Sequence, residues 1–567
     1  MFEVEMHYDK ILSRKERDSV KDIRNFIDSD LCYDGKVLIL YGLRRTGKTS
    51  MLEHTLTSYR DKVKFAFLEA SVNDTMETVE QKIEEAKKDG ASIVCVDEIT
   101  KVSDFQMLAS ILPDRFAKAG IRVIITGTDS LGFNFAQNSE LFDRCKMIST
   151  THIPFTEHCR VLGTNDIDDY IEYGGLMCRS KSEAFVKDYN SARKYLDSAV
   201  AENICNSIKA SDENSNISVL SFDELRTIIA KAVEKYSGKF NVAVAQNILK
   251  KVSVNSPLTS MEKEGYPEAL VESLKVQDKE IVKDFAKEIN ADKNIHCKIT
   301  EDMLQEIETY LIEMDVLSAV KKVEFGYDDI IGWRTRKTSN DFYIIQPAVK
   351  YHHLSKGVDF IDDHHAYEHL NDDVKTFMKD KLKDIVKGDM VEQIIVFDLK
   401  HEFLNTPYDV FKTEFYNNSK KIGEYDILIY DKSEKKYWAF EVKHTTKPYY
   451  KQHKHLKNEF VREIIDNNYG HRENVAVLYR GPSCEDSDDG SLYLNITDFM
   501  LAVEKHHDMD KAMSELVAGI SKYAIEKQNR RDDEKEDLKS GESKSSARIK
   551  DRKALAIEAV KCMAHGR

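Results

Sequence analysis

No stretch of this chain approaches the roughly 20 consecutive apolar residues that a bilayer span requires. Its opening residues, Met1 to His7, lack the basic and apolar regions of a secretory leader. Nine cysteines are scattered with no Cys-x-x-Cys pair among them, which argues against structural zinc and for reduced thiols. Basic residues are outnumbered, 84 against 99 acidic ones, for a formal net charge of -15. That balance excludes a protein that coats nucleic acid by bulk charge, so any such contact needs a local patch. No internal repeat is present. A cytoplasmic protein without a membrane anchor is expected. With 567 residues, 41% of them hydrophobic, the chain can build real cores in about two to four domains.

The apolar run Val37 to Tyr41 reads as a buried strand and leads into Gly42-x-x-x-x-Gly47-Lys48-Thr49, with a helix predicted from about Lys48. The glycines let the backbone curl until its N–H groups face a phosphate, and the helix start adds its positive dipole end. Lys48 is expected to reach the β- and γ-phosphates, and the Thr49 hydroxyl to hold Mg²⁺. With Arg45, Thr46 and Ser50 beside them, these residues make the expected nucleotide contacts. A bare glycine turn is the bland alternative, but few chance matches fall between an apolar strand and a helix start. Ala91 to Val96 is a second strand, apolar on both faces as a central parallel strand should be. It ends in Asp97, placed to bind Mg²⁺, and Glu98, placed to orient and deprotonate an attacking water. A third strand, Ile121 to Thr126, ends in small polar residues (Gly127, Thr128) able to sense a γ-phosphate. No Asn-Lys-x-Asp guanine-reading motif is evident, which favours ATP over GTP.

Strands are predicted at 37–41, 63–68, 92–97, 121–126 and 147–152, alternating with helices, so residues 36–160 read as a parallel α/β sheet. Residues 1–35 form a helical lead-in (Ile11 to Asp28), and 161–214 a helical lid. Residues 215–350 read as helices followed by a hairpin, Val320 to Glu324 and Asp341 to Ile345, which suggests a winged-helix module. Its role is packing or DNA binding; Trp333 to Lys337 gives one small basic wing tip. Residues 360–505 form a second α/β region. From 526 to 567 dense mixed charge predicts a disordered tail, with one short helix near its end.

The second α/β region holds a further constellation. Strands Gly423 to Tyr430 and Lys436 to Lys443 form a hairpin that brings Asp426 towards Glu441, and the period of two puts Glu441 and Lys443 on one face. Two carboxylates sharing a site repel unless a divalent cation, Mg²⁺ or Mn²⁺, neutralises them. Lys443 could then position or activate a water for phosphodiester attack, and Glu392 upstream could add a third carboxylate. A solvated sheet face with alternating acids and lysines is the bland alternative. His444 and the run Lys447 to Lys457 could line a nucleic-acid path, or form a solvated amphipathic helix.

The motifs together resemble prokaryotic AAA-like P-loop ATPases related to the archaeal-type STAND group, which carry a C-terminal PD-(D/E)xK nuclease-like domain of unknown function. Gly42 to Thr49 is similar to that family's arginine-bearing phosphate loop. Val96-Asp97-Glu98-Ile99 matches its acidic strand end, and Thr126-Gly127-Thr128 its sensor strand. Leu141 to Arg144 with Ile153 to Glu157, then Tyr173-Gly174-Gly175, match its following segments. In the C-terminal half Gly388-x-x-x-Glu392, Glu424-Tyr-Asp426 and Phe440-Glu441-Val-Lys443 match its nuclease-like signature. The resemblance implies a γ-phosphate contact from Arg144, a winged helix between the two ends, and metal held by Glu392, Asp426 and Glu441. Asp143 departs from it, standing where the family has glycine. The expected function is an ATP-hydrolysing molecular switch coupled to a nuclease-like domain that acts on nucleic acid, DNA among the candidates. Two alternatives stay open: a regulatory ATPase whose C-terminal fold is a protein-interaction platform, and an ATP-responsive DNA-binding regulator. Oligomeric state is not legible.

Overall fold

The structure is a computed structural model, and it describes residues 2–3, 6–178, 181–205, 217–218, 220–226, 228–229, 300–328, 332–363, 368, 372–417, 420–449, 452–453, 456–486 and 490–523. The expected helices of 230–299 and the charged tail from 526 lie outside the described residues.

Two sheets organise the chain. The first contains β1 (Phe2–Glu3), β2 (Val37–Tyr41), β3 (Phe65–Glu69), β4 (Ile93–Asp97), β5 (Arg122–Gly127) and β6 (Cys145–Ser149). Its order is β1-β3-β4-β5-β2-β6. All neighbours are parallel except β1, which runs antiparallel to β3. Strands covered on both faces have no solvated side to alternate with, which is why β2 and β4 read as unbroken apolar runs. The strand predicted at 147–152 lies two residues earlier, because Val37 pairs with Cys145. Since β5 sits between β2 and β4, its carboxyl end, Thr126, lies between the phosphate loop and the acidic pair. Crevices outside the carboxyl ends of parallel strands are where ligands bind in open α/β sheets. The lead-in forms two helices, Tyr8–Leu12 and Ser19–Asp28, rather than one.

The second sheet has nine strands: β7 (Leu317–Asp328), β8 (Gly332–Ile344), β9 (Tyr408–Asn417), β10 (Lys420–Asp431), β11 (Lys436–Lys443), β12 (His471–Tyr479), β13 (Cys484–Asp486), β14 (Leu492–Asn495) and β15 (Ser521–Tyr523). Their order is β15-β13-β14-β12-β11-β10-β9-β7-β8. Trp438, Phe440 and Val442 face a core built with the helix Asp372–Glu402, while Tyr437 and Ala439 face one built with the helix Glu459–Tyr469. This is the period of two at work.

Two boundaries read from the sequence do not hold. The hairpin expected to be the wing of a separate module is β7 and β8, and β7 pairs in parallel with β9, so the sheet runs across the expected break between 350 and 360. The apolar alternation of β7 needed a covering surface, and Phe325 finds it by stacking on Phe415 at 5.4 Å. The start of the expected lid is likewise shared. Helices Phe155–Leu162 and Ile167–Tyr173 bury Phe155, Cys159, Ile167, Tyr170 and Ile171 in the same core as Val391, Ile395 and Phe440. The later part, Tyr189–Leu196 and its continuation, packs with Leu43 of the phosphate loop.

Candidate active site

β2 delivers the chain to Gly42, whose φ of +141° only glycine adopts freely. A Cβ there would lie 2.7 Å from the hydroxyls of both Thr150 and Thr151, so the loop is pressed against the end of β6. Gly47, with φ +92°, starts the helix Lys48–Tyr59. The Lys48 ammonium donates to the carbonyls of Gly42 at 2.8 Å and Leu43 at 2.9 Å, folding back across the loop. Burial pushes its pKa down to about 8 against the opposing pull of Glu98 and Asp97. Ser50 lies on the first turn of the helix. Arg45 turns away from the loop, its guanidinium 4.0 Å over the Phe185 ring.

The acidic end faces this loop. The Thr49 hydroxyl donates to Asp97 Oδ2 at 2.7 Å, and the Thr126 hydroxyl and Glu98 N–H donate to Oδ1. Asp97 is therefore oriented by three donors from three elements. Glu98 takes a left-handed φ of +59°, uncommon for a non-glycine residue and frequent at functional turns. Burial raises its carboxyl pKa. A hydroxyl and a carboxylate at this separation are hard oxygen donors of the kind Mg²⁺ takes.

Residues 34–159 match a family model described as an AAA domain. This segment is an AAA-type P-loop ATPase domain. No curated protein matches the chain. Among solved structures it is similar to PCH-2 of C. elegans, at 13% identity over 44% of this chain and 66% of that one, with a TM-score of 0.22. It is also similar to Cdc6p of Pyrobaculum aerophilum, at 12% identity over 63% and 99%, TM-score 0.25. The S. cerevisiae Hsp104-ADP complex matches at 13% identity over 70% and 60%, TM-score 0.22.

The phosphate loop is supported by a residue that no motif pointed to. Arg17, in the lead-in, is 4% exposed and makes a two-pronged pair with Glu157 at 2.9 and 2.7 Å. Its remaining donors reach the carbonyls of Thr46 in the phosphate loop, Thr150 and His152. Glu157 also accepts from the Asp18 N–H. Burial works to raise the Glu157 carboxyl, yet the Arg17 hydrogen bonds and charge hold it below the ordinary range. Only the partner was visible beforehand, as the acid of the Ile153 to Glu157 segment.

Arg144 is a correction. It precedes β6, and its carbonyl accepts from Val37 N–H, at the end of β2 opposite the phosphate loop. Five strand residues at about 3.3 Å each separate the two edges, and the Arg144 guanidinium pairs with Asp114 at 2.7 Å. It does not reach the nucleotide site of its own chain. The motif gave the residue's order in the sequence, and the parallel strand set the edge on which it lies.

In the C-terminal sheet the pairing of β10 with β9 shifts register between Tyr425 and Leu428, a bulge spanning Asp426. Asp426 Oδ2 accepts from Val442 N–H at 2.8 Å and lies 3.4 Å from Lys443 Nζ, which donates to Glu441 at 2.7 Å. Burial, then repulsion from Asp426, pushes the Glu441 carboxyl well up. Glu392, expected as a third carboxylate, lies near enough to Asp426 to feel its charge. It projects from the helix Asp372–Glu402 and pairs with Lys412 of β9. Among the described residues no three carboxylates, imidazoles or thiolates converge as a metal-holding group. Lys412, from the neighbouring strand, is a partner invisible to the motif.

Arg17→Ala leaves Glu157 buried and uncompensated and should cost about 3–5 kcal/mol, read from urea unfolding at neutral pH. Because the Glu157 pKa is depressed, this stabilisation is present at neutral pH and disappears as the wild type is acidified below the ordinary carboxylate range. An unchanged midpoint in the variant would refute the assignment.

Proposed function

We propose that the protein is an ATP-binding and ATP-hydrolysing molecular switch whose C-terminal domain acts on nucleic acid, in a cytoplasmic setting. The observation that carries the ATPase reading is the Thr49–Asp97 pair at the mouth of the phosphate loop in the AAA domain. The backbone N–H groups of residues 42–49 cradle the phosphates, those of Arg45 and Thr46 among them, with Ser50 on the first turn of the helix; the Arg45 guanidinium reaches them only by leaving Phe185. Lys48 releases its carbonyl partners and swings its charge to the β- and γ-phosphates. Thr49 and Asp97 would hold Mg²⁺, which when bound neutralises charge on the phosphate oxygens. Glu98 orients the attacking water and takes its proton, and a carboxyl pKa raised by burial makes it a better base. Thr128, 3.5 Å from Glu98, registers the γ-phosphate. Arg144 is left a role only towards a neighbouring copy's nucleotide.

The nucleic-acid reading is supported by the resemblance of Gly388-x-x-x-Glu392, Glu424-Tyr-Asp426 and Phe440-Glu441-Val-Lys443 to a nuclease-like signature, carried here on the helix Asp372–Glu402, β10 and β11. It is also supported by the meeting of Asp426, Glu441 and Lys443. The pairing of Glu392 with Lys412 favours a second reading, in which the same fold is an interaction platform without cleavage.

Lys48→Ala should abolish Mg-nucleotide binding, measured by calorimetry, whereas Glu98→Gln should bind normally and turn over at least about a hundredfold more slowly. Normal hydrolysis by both would refute the site. In the wild type, affinity should hold up to about pH 8 and then fall about tenfold per unit as the Lys48 ammonium loses its proton; a flat profile would count against a buried, charge-bearing Lys48. Plasmid nicking with Mn²⁺ or Mg²⁺ decides the C-terminal reading. Cleavage lost in Glu441→Ala and kept in Lys48→Ala supports a nuclease regulated by ATP. No cleavage by a wild type with full ATPase activity leaves the interaction platform.

A further inference from the structure

The helix Ile167–Tyr173 carries carboxylates that meet two cations and an imidazole from three different elements. Asp168 lies 2.7 Å from His444 Nε2, 2.9 Å from Arg480 Nη2 and 3.6 Å from Lys387 Nζ. Lys387 also pairs with Glu172 at 2.6 Å, and Arg480 approaches Asp166 at 3.7 Å. The three side chains surround the end of β11 that holds the acid pair. His444 directly follows Lys443, Arg480 follows Tyr479, the register partner of Lys443, and Arg480 Nη1 is 3.3 Å from His444 Nε2. Lys387 precedes Gly388, where a Cβ would sit 3.7 Å from that of His444. The Lys387 side chain is only 12% exposed and that of Arg480 24%, so the surface they form needs an anion against it: buried cations without one are strongly unfavourable. Asp168 supplies that anion now, with two oxygens placed much as phosphate oxygens would be.

The same helix is tied to the nucleotide site. After Tyr173 the chain passes through Gly174 and Gly175, the latter at φ +81°, to Met177, whose N–H donates to the Arg45 carbonyl of the phosphate loop at 2.7 Å. Met177 also packs where a Cβ on Gly47 would touch it, at 3.0 Å. Any shift of the loop around a triphosphate therefore pulls on the segment that ends at Asp168.

We propose that Lys387, His444 and Arg480 form a subsite for the phosphodiester backbone of a nucleic-acid strand, and that Asp168 covers it until the phosphate loop is filled. The proposal rests on the reading that the C-terminal domain acts on nucleic acid, and it does not require cleavage. A strand on these side chains runs past Lys443, Glu441 and Asp426, so withdrawal of the Asp168 carboxylate exposes the phosphate contacts beside the acid pair.

The test is fluorescence anisotropy of a labelled DNA duplex, with an RNA duplex of the same sequence as a second probe, in EDTA without nucleotide. Asp168→Asn should bind at least one of the probes about tenfold tighter than wild type, while Asp168→Glu should behave as wild type. Adding Lys387→Ala and Arg480→Ala to Asp168→Asn should cancel the gain and reduce the slope of log affinity against log salt by about 2. Glu172→Gln, which frees Lys387 alone, should give a smaller gain in the same direction and serves if Asp168→Asn does not fold. In a Glu441→Ala background with Mg²⁺ and a non-hydrolysable ATP analogue, affinity should rise towards the Asp168→Asn level, and the analogue should add nothing to Asp168→Asn itself. The idea is overturned if folded Asp168→Asn binds both probes as wild type does, or if its gain survives loss of Lys387 and Arg480. A gain in binding with no nicking by the wild type would remove the nuclease assignment and leave the subsite standing.

Discussion

The buried pair between Arg17 and Glu157 ties the lead-in, the phosphate loop and the helix Phe155–Leu162 together. Taking both charges out of water is costly, and their attraction repays that cost only when the remaining donors and acceptors are satisfied. Here they are: the guanidinium spends its other hydrogen bonds on the carbonyls of Thr46, Thr150 and His152, and the carboxylate accepts the Asp18 N–H as well. The phosphate loop, the end of β6, the lead-in and the helix Phe155–Leu162 thus meet at one side chain.

That helix is also the first layer of the C-terminal core. Its opening N–H, at Phe155, donates to Asp398 of the long helix Asp372–Glu402, and Asp398 in turn lies 2.8 Å from His152. The loop's supports are consequently continuous with the core that carries β10 and β11. Coupling between such sites needs an element with two arrangements, which packed cores supply better than flexible tethers. The Gly174–Gly175 segment, hydrogen-bonded to the loop at Met177, is the lightest link in this chain of contacts.

The two sites neutralise their charge differently. In the AAA domain Asp97 is surrounded by hydroxyl and amide donors. In the C-terminal sheet Lys443 lies between Asp426 and Glu441 while Lys412 takes Glu392. Burial and the proximity of Asp426 leave Glu441 with its pKa well raised, a state that a divalent ion would have to reverse by displacing a proton.

Local spacing was enough to read the phosphate loop, the acidic strand end and the hairpin of β10 and β11, because each lies within one stretch of chain whose period and turn residues dictate its conformation. The sequence by itself also determined that five parallel strands alternate with helices, since strands buried on both faces must be apolar throughout. Tertiary structure alone decided what depends on which elements become neighbours. Arg144 went to the far edge because parallel strands present their two ends to opposite sides. Glu392 went to Lys412, and the supposed wing joined the sheet through Phe325 and Phe415. Arg17 became the hub through contacts with residues far along the chain. Those pairings are set by packing over long sequence separations, where a side chain's partner carries no mark in its own neighbourhood.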